Sequence, residues 1–92
     1  MAHKSESGWR REGEDGERVE VFARKVGREY LFFSRARRFD QWQAQPNPPL
    51  EDWLVLLDAV QRRVVRRLLQ PDDEDWLRQR IRERFPEVEL PS

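Results

Sequence analysis

Between Arg18 and Arg35 the chain carries large apolar side chains on both parities of an alternating pattern. Val19, Val21 and Ala23 interleave with Phe22, and Tyr30, Leu31, Phe32 and Phe33 follow after a short break at Gly27. Successive side chains of a strand point to opposite faces. A hairpin over these residues therefore has two apolar faces, where a sheet open to water on one side needs only one. Two registers are open. A two-residue loop at Val26-Gly27 puts Val19, Val21, Ala23, Tyr30 and Phe32 on one face. A three-residue loop groups the valines and Ala23 with Leu31 and Phe33. A one-residue slip exchanges the faces of a strand, yet in both arrangements Phe22 lies opposite the valines.

Upstream, Asp15-Gly16 is a hairpin signal, because a type I′ turn needs positive φ at both central residues. Used as the turn, it sets Arg11 opposite Glu20 and Trp9 opposite Phe22, and makes Trp9 to Gly13 a third strand. Residues 1–8 are polar and read as a disordered tail, and 9–90 as one small domain. Downstream, Phe39 to Gln45 suits a helical turn that places Phe39 and Trp42 on one face before Pro46, Pro48 and Pro49.

A long helix is expected from Pro48 or Pro49 to near Leu69. Glu51 and Asp52 suit its positive end, and Arg62, Arg63, Arg66 and Arg67 its negative end. Leu50, Trp53, Leu54, Leu57, Val60, Val64 and Leu68 form its apolar stripe, widened by Leu56 and Val65. Pro71 stops it. A second helix is expected to start in Asp72 to Asp75, carry Trp76, Leu77, Ile81 and Phe85, and stop at Pro86. Val88 and Leu90 alternate as in a short edge strand. The expected fold class is α+β: a two- or three-stranded antiparallel β-meander followed by two α-helices packed on one face of the sheet.

Composition narrows the chemistry. Among 92 residues there is no cysteine, and the single histidine is His3. Thiolate metal sites, cysteine nucleophiles and a histidine-based triad are therefore without members in the expected domain. Asp72, Asp73, Glu74 and Asp75 are adjacent, without the alternate spacing and central glycine of a calcium loop. No glycine-rich phosphate loop is present. The expectation is a protein without enzymatic activity, cofactor or metal. No apolar run suits a membrane span, and the absence of disulfides fits the cytoplasm. Sixteen of the eighteen basic residues are arginine, a bias that a GC-rich bacterial genome would produce as readily as selection for forked hydrogen bonding.

Eighteen basic and eighteen acidic residues cancel, so no global pull toward nucleic acid exists. The aromatic load is high, with four Trp, five Phe and one Tyr. Trp, Tyr and Arg dominate interface hot spots. The preferred function is thus a small binding or regulatory module acting through protein contacts, with a protein partner or a homodimer, and Trp9, Phe22, Arg24 and Trp42 as an aromatic–basic surface. The alternative is a nucleic-acid-binding domain, in which aromatics stack bases and arginines hold phosphate. It would use Arg24, Arg28, Arg35, Arg37 and Arg38 of the hairpin region with Arg62, Arg63, Arg66 and Arg67 of the long helix.

Overall fold

A computed structural model describes residues 6–13, 15–36 and 41–91. The expected tail up to residue 5, including His3, lies outside the described residues, as do Arg37, Arg38 and Phe39. The chain divides into two compact units, Met1–Pro48 and Pro49–Ser92.

The first unit is an antiparallel meander of four strands in sequence order: β1 (Glu6–Glu12), β2 (Arg18–Val26), β3 (Glu29–Arg35) and β4 (Gln43–Ala44). Glu6, Ser7 and Gly8, expected in the tail, open β1. The first hairpin is one residue out of the expected register: Trp9 pairs with Val21 and Arg11 with Val19. The turn chemistry explains the slip. Gly16 has φ +79°, but among the described non-glycine residues only Arg67 has positive φ. Asp15 therefore does not supply the conformation that a type I′ turn requires. Instead Gly13 N–H donates to Glu17 O at 2.7 Å and Gly16 N–H to Gly13 O at 3.1 Å. These bonds close a three-residue loop with glycine at its left-handed position.

The second hairpin turns through Gly27, at φ +62°, and Arg28, with Val26 opposite Glu29 and Ala23 opposite Phe32. Val19, Val21, Ala23, Tyr30 and Phe32 consequently share a face. That is the first of the two expected groupings, although the loop sits one residue further along than Val26-Gly27. Val19, Val21, Ala23 and Phe32 are all buried. The helical turn expected over Phe39 to Gln45 does not form across its described part. Gln43 and Ala44 pair with Ser34 and Phe33 instead. Gln45 N–H continues the ladder to Phe32 O at 2.8 Å, and its side-chain Nε2 donates to Ser34 Oγ at 2.7 Å.

The second unit is an antiparallel pair of helices, α1 (Leu50–Val65) and α2 (Pro71–Arg84). Trp53, Leu56, Leu57 and Val60 of α1 and Leu77 and Ile81 of α2 are buried. Arg84 lies over the Trp53 ring at 5.4 Å. α1 stops four residues short of the expected end at Leu69. Arg67 takes φ +63°, its N–H donates to Val64 O at 2.9 Å, and Leu68 N–H donates to Arg63 O at 2.8 Å. This is a Schellman closure, and it turns Leu68 out of the apolar stripe to 63% exposure. Pro71 both bars continuation of α1 and opens α2, where its missing N–H is no loss. Gln70 N–H donates to Asp73 Oδ2 at 2.9 Å across the α2 start. The edge strand expected at Val88 and Leu90 does not form: Val88 N–H donates to Phe85 O at 3.1 Å in a turn.

Candidate functional site

Register decides which side chains meet. Directly paired residues of neighbouring strands share a face. Opposite the valine face, the cross-strand rows read Glu6–Arg24–Leu31, Gly8–Phe22–Phe33–Ala44 and Arg10–Glu20–Arg35. The centre of this face is aromatic. Phe22 and Phe33 stack with centroids 4.8 Å apart and planes at 18°. The Trp42 ring, from the residue before β4, meets Phe22 edge-on at 4.8 Å and 84°. Such pairs contribute about 0.5–1.5 kcal/mol each beyond their area.

Two arginines frame the cluster. The Arg24 guanidinium lies 5.7 Å from the Phe22 centroid and 6.0 Å from that of Phe33. Arg35 sits over Trp42 at 4.3 Å. Each is also paired with a carboxylate: Arg24 with Glu6 at 2.7 Å, and Arg35 with Glu20 at 3.3 Å. A guanidinium presents a flat apolar face and a rim of donors, so each arginine covers a ring and answers a carboxylate at once. Leu31 and Trp42 remain 48% and 38% exposed. At one end of the face, Arg10, Arg18, Glu20, Arg35 and Ala36 line a shallow polar depression.

Three of the four residues expected to form an aromatic–basic surface, Phe22, Arg24 and Trp42, therefore meet. Trp9 does not join them. It pairs with Val21, which places it on the valine face, where its ring meets Phe32 edge-on at 6.2 Å. The one-residue slip of the first hairpin is the cause, since the expected register set Trp9 opposite Phe22. Phe33, Arg35, Glu6 and Glu20 belong to the site and were not singled out for it from the sequence. The signal was alternation: Leu31, Phe33 and Arg35 fall on one parity of β3, and the register joins that parity to Phe22 and Arg24.

Of the arginines in the nucleic-acid alternative, Arg28 is exposed in the turn between β2 and β3. Arg62 and Arg63 lie in the last turn of α1, Arg66 is its C-cap, and Arg67 follows. Arg62 pairs with Asp58 at 3.1 Å. The hairpin arginines and the helix arginines belong to the two different units.

The acidic cluster at the start of α2 is tied into the helix pair. Glu74 Oε2 accepts from Arg78 Nε at 2.8 Å and from Gln61 Nε2 at 3.4 Å. The Arg78 hydrogen bond, more than Gln61, holds the Glu74 carboxyl below the usual glutamate range. Among the described residues, no group of three or more histidine, cysteine or acidic side chains is arranged to hold a metal ion. Among the same residues, no helix is long and apolar enough to cross a membrane. No family model, no curated protein and no solved structure matches the chain.

Proposed function

We propose that the chain is a non-enzymatic binding module that engages a protein partner through the aromatic–arginine face of its sheet. One observation carries this reading: an aromatic cluster of Phe22, Phe33 and Trp42, capped by two arginines, inside a charge-balanced frame. On that face Arg10, Arg18, Arg24 and Arg35 are matched by Glu6, Glu12, Glu20 and Glu29. A phosphate-binding surface carries surplus positive charge. A protein hot spot instead combines aromatic and arginine contacts with little net charge. The nucleic-acid alternative is weakened by the pairing of Arg24, Arg35 and Arg62 with carboxylates.

The test places a photo-crosslinking amino acid at position 42 and, as a control, at Val65, which is 83% exposed. Position 42 should yield a discrete protein adduct that Arg24→Ala and Phe33→Ser abolish, while position 65 should not. In parallel, single- and double-stranded oligonucleotides are titrated at low salt and again at raised salt. Tight binding that falls steeply with salt, without a protein adduct at position 42, would transfer the function to nucleic acid.

A further inference from the structure

Within the sheet, β1 has a neighbouring strand on one side only among the described residues. The bond from Gly13 N–H to Glu17 O fixes the phase of its ladder. Hydrogen-bonded and non-bonded pairs alternate along an antiparallel pair. Ser7, Trp9 and Arg11 therefore bond toward β2, and the backbone groups of Glu6, Gly8, Arg10 and Glu12 point away from the sheet. The same alternation carried across β2 and β3 requires Phe32 to bond toward β4, and Phe32 O does accept from Gln45 N–H. Gly8, Arg10 and Glu12 are exposed. An edge of this kind is a template for another strand.

We infer that β1 pairs antiparallel with β1 of a second copy of this chain, about a twofold axis at Gly8. A twofold normal to the sheet sets residues of like parity opposite one another. Three such registers overlap most of the strand. Centring on Trp9 sets Glu6 against Glu12, and centring on Arg10 sets Arg10 against itself; both oppose like charges, which is unfavourable. Centring on Gly8 sets Glu6 of each copy against Arg10 of the other. It also joins the outward-pointing backbone groups of Glu6, Gly8 and Arg10 in about six hydrogen bonds.

Gly8 supplies a second, independent observation. An interior glycine weakens a strand and often marks the close approach of another backbone. Nothing among the described residues of one copy calls for it. A Cβ built there meets Val21 O at 3.7 Å and Phe22 Cβ at 3.9 Å, both ordinary contacts, and Gly8 is not among the positive-φ glycines. At the twofold, paired Gly8 residues leave the aromatic clusters of the two copies facing each other across side-chain-free backbone. This pairing uses the strand edge, so it stands or falls independently of what the aromatic face binds.

Sedimentation over a concentration series is the test. The wild-type chain should pass from monomer to dimer, with a weak constant because the edge is short. Arg10→Glu and Glu6→Lys should each remain monomeric, and an equimolar mixture of the two should form a heterodimer, since each then presents the charge the other lacks. Amide exchange of the wild-type chain reads the same contact without a variant. Gly8 and Arg10 amides should become protected as concentration rises, while the Trp9 amide, already bonded to β2, should not change. A wild-type chain that stays monomeric, a mixture that does not associate, or Gly8 exchange independent of concentration overturns the inference.

Discussion

Arg67 is the place where this chain holds a residue against its backbone preference. At φ +63° it is the only described non-glycine residue in the left-handed region, and that conformation costs an L-residue about 1–2 kcal/mol. Glycine there removes the cost while keeping both closing bonds, Arg67 N–H to Val64 O at 2.9 Å and Leu68 N–H to Arg63 O at 2.8 Å. Glycine also enlarges the freedom of the unfolded chain, which takes back about 0.4–1 kcal/mol. Arg67→Gly should therefore stabilise by about 0.5–1 kcal/mol. For a chain of this size that raises the Tm by about 2–8 °C. Arg67→Ala isolates the cause, because it removes the long side chain and keeps the Cβ; it should leave stability within about 0.5 kcal/mol of wild type. Thermal and urea unfolding followed by far-UV circular dichroism measure both variants. If Arg67→Gly is neutral or destabilising, or if Arg67→Ala gains as much as glycine, the strain is not where the geometry puts it.

Other substitutions probe the remaining parts. Ile81, fully buried in α2, should cost about 2–5 kcal/mol on truncation to alanine, whereas Val65→Ala at an exposed position should stay within about 0.5 kcal/mol; urea midpoints compare the two. Glu74 has a lowered pKa when folded, so its contribution is complete above the unfolded glutamate value of about 4.3 and is lost as pH falls through the lower folded value. Glu74→Gln should cost about 0.3–0.5 kcal/mol near neutrality and flatten the acid limb of a stability–pH profile, and an unchanged limb would show that Arg78 does not hold this carboxylate.

The element order was legible because its signals are local. Proline and acidic residues mark the helix starts, a three-and-four stripe marks α1, and the alternation of Arg18 to Lys25 marks β2. What stayed hidden depended on backbone angles. Asp15-Gly16 reads as a two-residue turn in sequence, but Asp15 does not adopt positive φ, and the resulting slip moved Trp9 to the other face. The end of α1 was missed because a left-handed arginine carries no compositional mark, while Leu68 and Leu69 extend the apparent stripe. β4 was missed because Gln43 and Ala44 have little strand preference and owe their conformation to pairing with β3. For the site, Phe22, Arg24 and Trp42 were readable as types, but the partnership of Arg35 with Trp42 and of Phe33 with Phe22 needed the register.

The simple strand order bears on how the aromatic face comes into being in time. Among the described residues each strand pairs with its sequence neighbours, so Phe22 reaches Phe33 by closing one hairpin and Trp42 by adding the next strand. Contacts between nearby parts of a chain carry a small closure entropy and form quickly. The aromatic–arginine face can thus be assembled as the sheet zips up, without waiting for a long-range crossover. A mutation that slows the turn at Gly27 should delay the appearance of that surface in step with the sheet itself.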